Sequence, residues 1–118
     1  MIKVAFIVLA DTQTPEGLGR VVNAMMAVKE FQEANEKVKL IFDGAGTRWI
    51  STLSDPEHQY HELFNAVKDR IEGVCKYCAH AFQVEKEVES SHLPFSEDYE
   101  GHPSFRQLMV EGYQIITF

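Results

Sequence analysis

Basic side chains are scarce in this chain of 118 residues, where 11 Lys and Arg face 18 Asp and Glu and the net charge is −7. Phosphate binding requires a clustered positive surface, so the composition excludes nucleic acid as a partner and disfavours an anionic membrane surface. Long apolar runs are also lacking, since no segment approaches the roughly 20 apolar residues of a transmembrane helix. We therefore predict no nucleic-acid partner and no membrane partner.

Cysteine is sparse too, with only Cys75 and Cys78. The opening "MIKVAFIVLA" has one lysine and no clear cleavage site for a signal peptidase. We interpret it as a core strand and predict a cytoplasmic protein. Two cysteines in an intracellular chain are more often free, catalytic or metal-bound than joined in a structural disulfide.

Apolar segments that resemble buried strands alternate with segments of helical spacing along the whole chain. The first helix has clear start signals, because Thr14 is a plausible cap, Pro15 fits the first helical position and Glu16 complements the helix dipole. A later apolar stripe runs from Tyr60 to Ile71, and Gly73 is predicted to end that helix. The predicted strands are 2–9, 37–43, 74–78 and 113–118, with room for a fifth in 92–99.

This alternation predicts an α/β fold, a three-layer α/β/α single domain over residues 1–118 with a mainly parallel four- or five-stranded sheet. Ligands bind such sheets at the carboxyl ends of the strands. The loops expected at that edge are Asp11–Gly17, Asp43–Thr47 and Cys78–His80. Our candidate binding residues in them are Thr14, Asp43, Gly44 and His80. The glycine-containing turn after the second strand is equally well explained as a tight turn.

The stretch "GVCKYCAHAF" (73–82) carries the most chemistry. If 74–78 is a strand, the Cα atoms of Cys75 and Cys78 lie about 10 Å apart, beyond the roughly 7 Å that a disulfide tolerates. This geometry disfavours a redox pair. A zinc site would use Cys75, Cys78 and His80, but no second Cys/His cluster completes a known spacing. We therefore predict no metal site and no cofactor.

The third interpretation is a single reactive thiol. Cys78 would stand where the strand becomes a helix, and backbone N–H groups there stabilise a thiolate. Composition alone leaves open the alternative that Cys78 is a small packed side chain without chemistry. Similarly, His80 either tunes the charge at Cys78 or is an ordinary helix residue.

The segments "TPEGLGR", "FDGAG", "GVCKYCAHAF" and "GYQIITF", in this order, resemble the DsrE/DsrF-like family of small sulfur-handling proteins. The most specific match is a strand followed by Cys78-Ala79-His80-Ala81-Phe82. The resemblance implies a three-layer α/β/α fold and an oligomer, often a trimer or a hexamer. It also implies that the cysteine at the position of Cys78 carries a persulfide between donor and acceptor proteins.

The resulting hypothesis is a persulfide carrier, possessing a sulfurtransferase-like activity, that acts through Cys78 alone. Such exchange needs an accessible, partly ionised thiol. The alternative is a non-catalytic oligomeric α/β domain that binds a small ligand or a protein in a cleft at the strand ends. Whether the protein is an enzyme stays open at this point.

Overall fold

Five strands form a single sheet in the computed structural model, which describes residues 1–118. All strands are parallel, in the order β4-β3-β2-β1-β5. The strands are β1 (Lys3–Val8), β2 (Lys37–Phe42), β3 (Ile71–Cys75), β4 (Phe95–Ser96) and β5 (Gln114–Thr117). The predicted α/β fold is confirmed, and the short β4 is the fifth strand for which 92–99 left room.

Six α-helices connect or follow these strands, and two 3-10 turns, Gly44–Arg48 and Lys68–Arg70, add to them. No helix combines the length and the apolar character needed to span a membrane. The helices are α1 (Pro15–Glu33), α2 (Trp49–Ser54), α3 (His61–Val67), α4 (Lys76–Ala81), α5 (Glu85–Ser90) and α6 (Phe105–Val110).

The two faces of the sheet are covered unequally. A cluster of 19 buried residues joins alternate side chains of β1 to helices α1 through α5. On the other face a cluster of four, Ala5, Ile7, Ile41 and Leu108, joins the sheet to α6. The strand order explains this division. Three crossovers step from β1 towards β4 and leave their helices on one face, whereas the last returns across the sheet and leaves α6 on the other.

Helix α1 begins as the sequence predicts. The Thr14 hydroxyl accepts a hydrogen bond from the Gly17 N–H at 3.0 Å, and Pro15 occupies the first helical position. Both features satisfy or remove N–H groups that would otherwise lack partners at a helix start. The inward-facing Val21, Met25 and Val28 are fully buried and anchor α1 on the sheet.

The third strand lies three residues earlier than predicted, over Ile71–Cys75 rather than 74–78. Ile71 continues the apolar stripe of α3 in the sequence, but it is the first strand residue and pairs with Leu40. The 3-10 turn Lys68–Arg70 makes the change from helix to strand. The prediction that Gly73 ends a helix is therefore wrong, and so is the prediction that the helix begins after Cys78.

Gly73 has a different role inside β3. A Cβ atom there would lie 2.8 Å from the Ser96 Cβ and 3.1 Å from the Ser96 backbone N. Glycine in a strand interior often marks such a close approach of neighbouring backbone. The absent side chain thus lets β4 pair with the end of β3.

We expect Gly73→Ala to lower the free energy of unfolding by about 1–3 kcal/mol, because the added methyl group overpacks against β4. Gly19→Ala is the matched control, since no atom lies within 4 Å of a Cβ at this exposed helical position. It should raise stability by about 0.5–1 kcal/mol. Urea denaturation of both variants measures the difference. Equal stability of Gly73→Ala and the parent protein would refute the packing argument.

Candidate functional site

Asp43 is the first residue after β2. Its N–H donates to the Val8 carbonyl at 2.9 Å, which keeps it aligned with the end of β1. One carboxylate oxygen accepts from the Gly44 N–H at 2.8 Å and caps the following 3-10 turn. The half-buried side chain is thereby fixed at the carboxyl edge of the sheet.

Cys75 ends β3, and Cys78 lies in the first turn of α4. The Cys75 sulfur caps this turn, because the Cys78 N–H donates to Cys75 Sγ over 3.4 Å. The cap brings together two cysteines that an unbroken strand would hold apart, so the predicted separation of about 10 Å does not apply. Cys75 is completely buried, whereas Cys78 is half-buried.

His102 reaches the same place from the loop after β4. Tyr99 and His102 exchange two backbone hydrogen bonds, of 2.8 and 2.9 Å, around a tight turn. The two residues between them, Glu100 and Gly101, have φ values of 48° and 85°, as in a type I′ turn. The Tyr77 N–H donates to the Gly101 carbonyl at 2.9 Å, which ties this turn to the start of α4.

The turn sets the imidazole of His102 against Cys75. Its Nδ1 lies 3.4 Å from Cys75 Sγ. The Tyr77 ring packs on the imidazole with ring centroids 4.6 Å apart. The Cys75 thiol also has the Gly101 carbonyl oxygen within 3.7 Å as an acceptor.

The strand-end cluster consists of Asp43, Cys75, Cys78 and His102. One side-chain oxygen, sulfur or nitrogen atom from each lies within 4.8 Å of the corresponding atoms of the other three. The residues lie at or after the carboxyl ends of three neighbouring strands, β2, β3 and β4. The chain leaves β3 towards one face of the sheet and β4 towards the other, so the cluster occupies the kind of switch point at which α/β proteins bind ligands.

Burial raises the pKa of the Cys75 thiol above its ordinary value, and the hydrogen bond from the Cys78 N–H only partly offsets this. The negative charge of Asp43 raises it further. Cys75 is therefore a neutral thiol at neutral pH. The two cysteines therefore differ, because Cys75 is fully buried and protonated whereas Cys78 is only half-buried.

The structure brings Asp43 and Cys78 together, with Gly44 directly beside Asp43, but it leaves two other candidates outside the cluster. The side chain of His80 is 82% exposed and its Nδ1 lies 3.2 Å from Glu85. Positions two apart on a helix do not face each other, which separates His80 from Cys78. Thr14 caps α1 and lines a separate cavity of about 320 Å³ beside the ends of β1 and β5.

Sequence reasoning missed His102 as a member of the site. The sequence did contain one signal for it. His102 follows the possible fifth strand in 92–99, and the loop after such a strand lies at the same carboxyl edge of the sheet as the cysteines. The sequence-based argument against a metal site counted His80 as the histidine near the cysteines. In the structure the histidine beside them is His102.

An open cavity of about 680 Å³ borders the cluster. Asp43 and His102 form its inner wall, and the partly exposed aromatic rings of Tyr99 and Phe105 flank it. Two of the four cluster members, Asp43 and His102, therefore line this opening, whereas the two cysteines do not.

The fold and the cluster define a class of protein, a parallel α/β domain with a pair of thiols at its strand ends. The sequence model of the DsrE/DsrF-like family matches residues 3–118, which is nearly the whole chain. The chain belongs to this family, and the resemblance noted from the sequence is confirmed.

Among solved structures, the chain is similar to a conserved protein of unknown function from Bacteroides thetaiotaomicron. The TM-score is 0.61 at 16% sequence identity, with 97% of this chain and 94% of that chain covered. At this level of identity the similarity concerns the fold alone. No curated protein matches the chain.

We expect iodoacetamide to modify Cys78 in the native protein and to leave Cys75 untouched, because Cys75 is buried and kept neutral. Cys75 should stay unmodified from neutral to mildly alkaline pH and react only after denaturation. Peptide mass mapping after alkylation measures both sites. Modification of Cys75 before Cys78 would contradict the burial and protonation described above.

Proposed function

We propose that this chain is a sulfur-transfer protein in which Cys78 carries sulfane sulfur as a persulfide. The observation that carries the proposal is the half-buried Cys78 thiol in the strand-end cluster, beside Asp43 and His102, which line an open cavity. Membership of the DsrE/DsrF-like family supports a role in sulfur relay. Protein donors and acceptors of sulfur are the partners that this role requires.

In the proposed reaction the Cys78 thiolate attacks the outer sulfur of a donor persulfide. The sulfur–sulfur bond of the donor breaks, the donor leaves as a thiolate, and the outer sulfur remains on Cys78. An acceptor thiolate then attacks that sulfur, and Cys78 leaves as a thiolate. Each step exchanges one thiol for another, so no external oxidant or reductant is consumed.

His102 is better placed than His80 to support this exchange. Its imidazole lies in the cluster, whereas His80 points to solvent. A histidine beside two sulfurs donates a proton to a leaving thiolate or stabilises its charge. Asp43 has the opposite effect, because its negative charge disfavours a second anion nearby. Burial, together with the charge of Asp43, keeps Cys75 protonated. Cys78 is the nucleophile because it is only half-buried.

Loading with a small persulfide donor tests the proposal. Intact mass spectrometry should find a gain of one sulfur atom in the parent protein, and peptide mapping should place it on Cys78. Cys78→Ser should lose the gain. Cys75→Ser should retain it, because a buried neutral thiol is not the nucleophile.

Two histidine variants refine this test. His102→Ala should slow loading about a hundredfold, the lower end of the range that a general acid or base contributes. His80→Ala should load at the parent rate. A slow His80→Ala together with a normal His102→Ala would restore the sequence-based assignment of His80.

The second candidate function is a non-catalytic domain that binds a small ligand or a protein. The observation in its favour is the cavity of about 680 Å³ flanked by exposed aromatic rings. The loading experiment separates the two functions. Folded parent protein that gains no sulfur on Cys78 would favour the binding domain.

We also propose that the chain forms a homo-oligomer, a trimer or a hexamer, through the outer surface of α6. Met109 and Val110 on this helix are 66% and 62% exposed, and exposed apolar patches often mark interfaces. Met109→Lys should yield a smaller species in light scattering. Met26→Lys, at an exposed position of α1, is the matched control and should leave the mass unchanged. A monomeric parent protein would rule the oligomer out.

A further inference from the structure

The strand-end cluster combines two thiols, an imidazole and a carboxylate. This is a set of side chains from which proteins build tetrahedral zinc sites. The four potential ligand atoms already lie within 4.8 Å of one another. We propose that Asp43, Cys75, Cys78 and His102 form a binding site for a single Zn²⁺ ion.

The distances fit a tetrahedral site. Bonds of about 2.3 Å to sulfur and 2.0 Å to nitrogen put these two ligand atoms roughly 3.5 Å apart at a tetrahedral angle. Cys75 Sγ and His102 Nδ1 are 3.4 Å apart. The two cysteines also have the C-x₂-C spacing common among zinc ligands. Contraction of the remaining pairs towards the same spacing requires only small side-chain movements.

Backbone contacts orient three of the four ligands before a metal arrives. The Cys78 N–H bonds to Cys75 Sγ, which fixes the Cys75 sulfur relative to the first turn of α4, where Cys78 lies. The Tyr77 N–H bonds to the Gly101 carbonyl and holds the turn that carries His102. The bond between one Asp43 oxygen and the Gly44 N–H orients the carboxylate and leaves the other oxygen available. Such outer contacts orient metal ligands in known sites.

The zinc site stands on this geometry and does not depend on the proposed sulfur transfer. The two activities exclude each other at any moment, since a metal-bound Cys78 thiolate is not free to attack a persulfide. Binding displaces the thiol protons, so Zn²⁺ uptake releases protons to solvent. Inhibition of sulfur loading by Zn²⁺ rests on the sulfur transfer proposed above, and it follows because the bound ion occupies the Cys78 thiolate.

Titration of the full chain with Co²⁺ tests the site, after reduction with a phosphine and removal of metals with a chelator. We expect one equivalent to bind, with the intense visible bands of tetrahedral cobalt and a near-ultraviolet thiolate charge-transfer band. Zn²⁺ should displace the cobalt and bleach both. His102→Ala and Cys78→Ser should each weaken binding by at least about tenfold, and Cys78→Ser should also reduce the charge-transfer band.

His92→Asn is the matched control, because His92 is exposed outside the cluster and asparagine tolerates its positive φ of 61°. It should bind cobalt as the parent does. Circular dichroism checks that each variant is folded. The His102 variant is decisive because His102 lies outside the core, so its substitution should not unfold the protein. The zinc site is overturned if the reduced, folded parent binds no cobalt, gives a weak octahedral spectrum, or binds equally well after His102→Ala.

The outcomes for metal and sulfur are separable. If the protein binds cobalt but gains no sulfur when chelator keeps it free of metal, the zinc site is supported and the proposed sulfur transfer is rejected. Sulfur loading without cobalt binding rejects the zinc site alone. Where both occur, Zn²⁺ should suppress sulfur loading on Cys78, and chelator should restore it.

Discussion

The pairing of β3 with the two-residue β4 is the contact on which the site depends. The Val74 N–H bonds to the Pro94 carbonyl at 3.0 Å, and Cys75 lies opposite Ser96. Gly73 makes room for this contact by having no side chain. Pairing with β4 brings the chain back to this edge of the sheet, where the hydrogen bond between the Tyr77 N–H and the Gly101 carbonyl holds the turn at Tyr99–His102 beside the cysteines.

The change from strand to helix at the end of β3 brings the two cysteines together. Because the backbone turns helical directly after Cys75, the sulfur of that residue caps the turn and faces Cys78. The result is an unequal pair, a sealed thiol and an accessible one, beside an imidazole and a carboxylate. The proposed sulfur exchange would use the half-buried thiol alone, whereas the proposed metal site would use both, so the two proposed kinds of chemistry would compete for the same atoms.

The sequence predicted the fold because its strongest signals are local. Thr14 and Pro15 specify the start of α1, and the apolar run in 2–9 specifies a buried strand. The position of β3 was missed because Ile71 extends a helical stripe while Gly73 resembles a helix stop. Only pairing with β2 and β4 decides that both are strand residues, and such long-range contacts leave no local pattern. His102 was missed for the same reason, since it follows a strand of two residues and lies 27 positions along the chain from Cys75, whose sulfur it contacts.

The loop that carries His102 lies outside the central strands, and its exposed residues contribute little to the core. Replacement of the segment between Ser96 and Pro103 would therefore exchange one member of the cluster and leave the packed interior intact. Changes at a handful of surface positions in this loop would therefore alter the groups beside the same pair of sulfurs. The domain thus separates the part that sets its shape from the part that sets its reactivity.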